Sequence, residues 1–273
     1  MKKFSTWLFL AVTISLLLNQ GHHPVLGNNT HSGCVSPPSG LVGWWPGDGN
    51  AKDIQVDNNG TRMNGAHFGP GLVGPAFRFD GVDDFIDVPD SLLLDSITRA
   101  ITVDAWINPQ FAETGGGWIF ARRDPFMSEG FAIAVGNGGD IGVTVATFAT
   151  FATSTTVTDF LSDPGLIALG QWQHIAATAD TTTGQVLAYL NGNPVPLKAG
   201  LEPSTISGQL VNVNHLFIGQ RQSSDTDEGV VGGSHYKGLV DEVEVFNRAL
   251  SAAEIQGIFN AGTRGKCRQS FDK

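Results

Sequence analysis

The sequence is short of several things, and each shortage excludes something. It has two cysteines in 273 residues, so at most one disulfide can form within the chain. Basic side chains are scarce: 16 Lys and Arg stand against 26 Asp and Glu, for a net charge of −10. No basic stripe is left to follow a phosphate backbone, which excludes nucleic acid as a partner. The apolar run Trp7–Leu18 falls short of the ~20 residues that cross a bilayer, so the mature chain does not insert into a membrane. There is no internal repeat and no low-complexity linker. Neither a G-x-S-x-G elbow nor an H-E-x-x-H pair occurs, which excludes the serine-nucleophile and zinc-hydrolase chemistries those spacings serve.

The N-terminus has a clear reading. "MKKFSTWLFLAVTISLLLNQGHHPVLG" combines two lysines, a short apolar run and a polar exit, as a secretory signal peptide does. Cleavage after Gly27 predicts a secreted protein, extracellular or periplasmic. Loss of Lys2 and Lys3 moves the net charge from −10 to −12. Residues 28–39 form an N-terminal tail with Cys34, 40–262 one domain, and 263–273 a C-terminal tail with Cys267. In an exported chain two cysteines read as one disulfide, the alternative being two free thiols. Closing so long a loop stabilises by roughly 5 kcal/mol on the chain-entropy account.

What the sequence does have is short β-forming runs. "ITVDAWINP", "WIFARR", "FAIAVG", "IGVTVATF", "WQHIAATAD", "QVLAYLNG" and "HLFIGQR" are separated by "TGGG", "GNGGD", "TTTGQ" and "NGNP". This is the pattern of an all-β sandwich or barrel with antiparallel strands. Asn191-Gly192 suits a two-residue hairpin turn whose central positions need positive φ. Near the end, "GLVDEVEVFNRALSAAEIQGIFNAG" reads as a strand and then a helix. Ser251 and Glu254 make a capping box, Leu250 and Ile255 a hydrophobic staple, and Gly262 a stop. With period two, Glu242, Glu244 and Phe246 share a solvated face, while Asp241 falls on the aliphatic side with Leu239, Val243 and Val245. A carboxylate there must be paired or coordinated. Asp48 and Asp53 in "PGDGNAKD" and Asp80 and Gly81 in "FDGVDD" offer oxygens to a cation, or else cap turns.

Five motifs in order carry a family resemblance: "GLVGWWPGDGNAKD", "GLVGPAFRFDGVDDFIDVPDS", "ITVDAWINP", "GQWQHIAATAD…GQVLAYLNGNPV" and the C-terminal stretch. Together they resemble laminin-G-like, concanavalin A-like lectin-glucanase domains of secreted bacterial proteins, from Gly40 to Gly262. The resemblance implies an all-β antiparallel jelly-roll β-sandwich with a short C-terminal helix, usually without catalysis. The related glucanases use an E-x-D-x-x-E strand that sets two carboxyls ~5–5.5 Å apart, and this sequence lacks it. The resemblance also implies a structural calcium held by an Asp of the last strand, here Asp241, with Asp48, Asp53 and Gly81 as candidate partners.

Trp45, Trp106 and Trp172 fall where the family has core residues, and His174 reads as a core or hairpin hydrogen bonder. Trp44 and Trp118 alternate outward or lie near loops, where a ring can stack on a sugar. Arg122, Arg123 and Asp124 follow a strand, and His235 and Tyr236 precede the last one. The ligand candidates are therefore Trp44, Trp118, Arg122 and Tyr236. The Thr- and Phe-rich segment 143–165 receives no role. The expectation is a secreted, non-catalytic recognition module for carbohydrate or for a surface or matrix protein. The alternatives are a structural or adhesive component and, third, a glycoside hydrolase relative. Thiol titration of the denatured, unreduced mature protein is expected to find no free thiol; two would refute the Cys34–Cys267 disulfide.

Overall fold

The computed structural model describes residues 33–111, 116–123, 130–148, 155–200, 205–210, 214–221 and 235–268. The expected leader 1–27, Asp124 and residues 149–154 of the Thr- and Phe-rich segment lie outside them. The first strands are β1 (Leu41–Trp45), β2 (Thr61–Met63), β3 (His67–Pro70), β4 (Pro75–Asp80) and β5 (Phe85–Val88). A short helix α1 (Leu92–Asp95) leads to β6 (Ala100–Pro109), β7 (Gly117–Arg123), β8 (Gly130–Val135), β9 (Ile141–Phe148) and β10 (Thr155–Leu161). Then come β11 (Gln173–Asp180), β12 (Gln185–Leu190), β13 (Asn193–Val195), β14 (Lys198–Ala199), β15 (Gln209–Leu210) and β16 (Leu216–Ile218). The last strand is β17 (Lys237–Phe246), followed by helix α2 (Ala252–Ala261).

All strand pairings are antiparallel, and they make two sheets. The first runs β13-β12-β11-β6-β17-β4-β3, with β1 also paired to β17. The second runs β14-β10-β9-β8-β7-β16-β5-β2, with β15 also paired to β9. The expected jelly-roll sandwich is therefore what the chain forms. Alternation explains the packing. On β6, Ile101, Val103, Ala105 and Ile107 enter the core between the sheets, where they meet Phe120, Phe131, Ile133, Val143 and Val145.

The outer face of the first sheet is not left to solvent. Ala176, Tyr189 and Phe246 on that face form a second apolar cluster with Leu250, Ile255 and Ile258 of the helical segment. The Ser251–Glu254 capping box is present, and Leu250 and Ile255 pack in one cluster, as the sequence predicts. Trp106 is buried, but against Phe259 of α2 at 5.7 Å rather than between the sheets. Trp172 is half-buried and outside the core. The Asn191-Gly192 turn joins β12 to β13 with φ of 51° and 75°.

Beyond α2 the chain continues as a strap. Cys267 N donates to Val35 O at 2.8 Å, and Val35 N donates to Gly265 O at 3.2 Å. Cys34 and Cys267 are joined by a disulfide with Cα atoms 5.0 Å apart. The two ends of the described chain are thus tied along the same sheet.

Candidate functional site

The acids of "DEVEVF" are the first candidates, and the structure rearranges them. The register of β17 against β6 shifts between Asp241 and Glu244. Glu242 is the extra residue, with φ +54°, a left-handed backbone that costs a non-glycine residue about 1–3 kcal/mol. A bulge of this kind resets the alternation. Asp241 opposes Trp106 and Glu244 opposes Asp104, so all three acids of β17 lie toward the outer face. That face is buried: Asp241, Glu242 and Glu244 are each at most 1 % exposed. The bulge moves Asp241 off the expected core side, and the face expected to be solvated at Glu242 and Glu244 is buried instead.

What covers the acids is the strap. Lys266 Nζ lies 3.2 Å from Glu244 Oε1 and 3.6 Å from Glu242 Oε2, with its side chain 2 % exposed. It sits over the Trp44 ring at 5.4 Å. Arg268 reaches Glu242 Oε1 at 3.4 Å and also pairs with Asp48. Asp104 accepts a hydrogen bond from the neighbouring His174 ring at 3.0 Å, consistent with the expected core role of His174. Burial pushes the Glu244 carboxyl well above its ordinary range, against the pull of Lys266. The same carboxylates raise Lys266 against its own desolvation.

Asp241 Oδ2 accepts from the backbone N–H groups of Leu72 and Val73 at 2.8 and 2.9 Å. Burial raises its pKa to about 8, with the charges of Glu242 and Asp48 adding to the effect. Of the expected calcium set, Asp48 lies near enough to act on Asp241 through its charge, while Asp53 and Gly81 are engaged elsewhere. Asp53 accepts from the N–H groups of Trp44, Gln55 and Asn58 at 2.9, 2.9 and 3.3 Å, so it holds turns. Asp48 is neutralised by Arg268. Gly81 sits in the β4–β5 turn against Lys237, four residues along β4 from Phe77, which pairs with Val240. Asp241 Oδ1, by contrast, is buried with no hydrogen-bond partner among the described residues. Among the described residues, one acidic group does converge: Asp80, Asp83 and Asp84 bring carboxylate oxygens within 4.8 Å of one another. Asp84 there accepts from Gly65 N at 2.7 Å and Asp80 N at 3.0 Å, and Asp80 from Val82 N at 2.7 Å.

Three of the four ligand candidates turn out to be internal. Trp44 is 2 % exposed, and its indole N–H donates to Glu242 at 3.0 Å. Arg122 is buried, and its guanidinium joins Asp90, Asp95 and the carbonyl of Asn214 at 2.6, 2.5 and 2.9 Å, tying α1 to the second sheet. Tyr236 is fully buried in the core, edge-on to Phe111 at 5.4 Å. The sequence places Trp44 outward or near a loop, Arg122 after a strand and Tyr236 before one, and in the structure all three are buried.

Trp118 is different. It is half-buried, on the outer face of the second sheet, with the Arg221 guanidinium 5.3 Å from its ring. Across from it the register runs Trp118–Ala134–Gly142–Leu161 over β7, β8, β9 and β10. Three strand spacings make this row about 14 Å long. Ala134 and Gly142 are half-buried and Leu161 is exposed. A parallel row, Phe217–Ala121–Ala132–Thr144–Asp159, lies beside it. A Cβ on Gly142 would meet only Leu161 at 3.4 Å and Ala134 at 4.0 Å, so the strip has a low floor at its middle. Next to Trp118, Gly117 packs so tightly on the backbone of His235 and Tyr236 that a Cβ there would come within 2.5 Å. His235, whose pKa is lowered by burial, therefore adjoins the strip.

A flat floor of small side chains, an aromatic ring at one end and a guanidinium over it can receive a planar, partly apolar ligand face. Apart from Trp118, the expected ligand set misses these residues, yet they had a signal. In "FAIAVG" and "IGVTVATF" every second residue is Ala, Gly or Thr, the parity that faces away from the core.

Two antiparallel sheets packed face to face, with such a strip on one outer face, define a jelly-roll β-sandwich. The family model described as the concanavalin A-like lectin/glucanases superfamily matches residues 80–256, and the chain belongs to that family. No curated protein matches the sequence. Among solved structures, the chain is similar to domain 4 of AbnA, a GH43 extracellular arabinanase from Geobacillus stearothermophilus, in complex with arabinotriose. That match has TM-score 0.53 and 19% identity, over 80% of this chain and 97% of that one. The binding domain of Paraclostridial Mosquitocidal Protein 1 matches with TM-score 0.61 and 16% identity, over 81% and 52% of the two chains. A botulinum neurotoxin type C structure, whose cell entry depends on two ganglioside molecules, matches with TM-score 0.55 and 14% identity, over 81% and 51%. The chain spans about half the length of those two toxin chains. At these identities the likeness establishes the fold alone.

The raised pKa of Asp241 has a sign that can be measured. A carboxyl at about 8 in the folded protein and near 4 when unfolded binds more protons folded than unfolded between those values. Stability is therefore lost as pH rises from 4 to 8. Asp241→Asn keeps the acceptor for Leu72 and Val73 and cannot ionise. Relative to wild type, the variant is expected to gain more than about 1.4 kcal/mol between pH 5 and pH 8 in urea unfolding, one pKa unit's worth. A difference that stays constant with pH would show that Asp241 is ionised throughout.

Proposed function

We propose that this protein is a secreted carbohydrate-recognition module that binds glycan along the Trp118–Leu161 strip without catalysis. The observation that carries the reading is the pairing of the half-buried Trp118 and its Arg221 partner with a floor of Ala134 and Gly142. A sugar ring lays its C–H face on an indole, and the buried Arg221 guanidinium holds that indole in place. The relatives in hand support a glycan over other ligands, since one is solved with arabinotriose, another with SialylT, and a third is tied to gangliosides. The burial of Glu242 and Glu244 supports the non-catalytic part, because no polymer reaches them. Calcium enters this reading only through Asp80, Asp83 and Asp84.

A glycan array of the mature protein, run with and without chelator, tests the reading. Binding of at least one glycan class is expected. Trp118→Ala should weaken it about tenfold or more, equivalent to 1.4 kcal/mol, and Gly142→Phe should block the strip while the protein stays folded. A folded protein that binds nothing on the array would point to the structural or adhesive alternative. Binding that both variants leave untouched would place the site elsewhere.

A further inference from the structure

The strap residue Lys266 brings its amine into a buried cluster of acids. Its side chain is 2 % exposed, and Glu244 is fully buried. Lys266 Nζ lies 3.2 Å from Glu244 Oε1, so the amine is held against the carboxyl group it would attack. The contact is also off hydrogen-bond alignment, and both Glu244 oxygens are left without a hydrogen-bond donor. An ordinary buried ion pair satisfies its lone pairs, because each unfilled one is costly. A third group stands ready: Asp104 opposes Glu244 across the strands, acts on Lys266 through its charge, and has Oδ1 buried and unpaired. The Trp44 ring, 5.4 Å from Nζ, closes the side and keeps water out.

We propose that Lys266 and Glu244 condense in the folded protein to a side-chain amide, a covalent bond between the strap and β17. The step balances without an oxidant or co-reactant. The Asp104 carboxylate takes a proton from the Lys266 ammonium. The freed Nζ lone pair attacks Cδ of the protonated Glu244 carboxyl and forms the C–N bond. Asp104 returns its proton to the departing hydroxyl as the C–O bond breaks, one water leaves, and Asp104 takes up the second proton of the new amide nitrogen, so that it ends protonated. Two buried charges or polar groups become one neutral amide. Burial favours the protonated Glu244 that the attack needs, and fixed geometry replaces activation, as effective molarities of about 10⁵ M and above allow.

The bond is read by mass. Folded wild-type protein, then denatured and reduced, is expected to weigh one water less than its sequence. Trypsin should fail to cut after Lys266 and should release 238–248 joined to 265–268, with the link placed on Glu244 and Lys266 by fragmentation. Glu244→Gln is expected to form the same amide by losing ammonia, so its mass should equal that of the linked wild type. Lys266→Arg should show its full mass, and Asp104→Asn should leave a larger unlinked fraction. Wild-type protein at full sequence mass, with Lys266 open to trypsin, overturns the proposal. So does a water loss that maps to any other pair, including Lys266 with Glu242.

Discussion

The structure depends on one buried cation among acids. Lys266 enters the outer face of the first sheet where Glu242, Glu244 and Asp104 converge. Carboxylates brought out of water must be paired or protonated, and these three come from two neighbouring strands, β17 and β6. Without Lys266 the bulge at Glu242 would gather like charges with no gain. With it, the bulge becomes a socket. The disulfide at Cys267 follows the lysine directly, and Cys34 carries the N-terminal segment onto the same strap. A cross-link at that place holds the cation in its socket as much as it shortens the unfolded chain.

This arrangement decides which face can meet a ligand. α2 and the strap cover the outer face of the first sheet, with Ile255, Ile258, Phe259 and Lys266 packed against it. On the second sheet, the outer positions of β8 and β9 are instead Ala, Gly and Thr, next to Trp118. One face spends its large and charged residues on closing the chain, and the other carries small residues, of which Ala134 and Gly142 are partly exposed and Ala132 and Thr144 buried. The same division explains why Trp44 and Tyr236, which look like a platform in sequence, are structural. Trp44 donates to the socket, and Tyr236 anchors the start of β17 beneath the loops.

Much of the fold was legible in the sequence because local rules decide it. Asn191-Gly192 forms its hairpin because both positions take positive φ. Ser251 and Glu254 cap a helix that begins where they stand. The cysteines pair because the chain ends come together. The site was less legible, for reasons that are equally physical. One inserted residue, Glu242, moved Asp241 off the core side assigned to it, and no local pattern in "DEVEVF" announces a bulge. Period two says which residues share a side but not whether something later in the chain covers it, so Glu244 read as solvated. Arg122 looked like a loop cation because its partners Asp90 and Asp95 lie about thirty residues earlier in the chain. The small-residue strip was written in the alternation of "FAIAVG" and "IGVTVATF". It went unread because attention to aromatic and charged side chains passes over alanine.

The measurement that bears most directly on this account is the stability of Lys266→Met by denaturant unfolding at pH 7. Methionine keeps the stem's packing and removes the charge. The account predicts a loss of about 3–5 kcal/mol, the cost of leaving buried acids without the Lys266 amine, and a smaller loss at pH 4, where burial keeps Glu242 and Glu244 protonated. A variant within about 0.5 kcal/mol of wild type at pH 7, the range of an ordinary surface substitution, would contradict it.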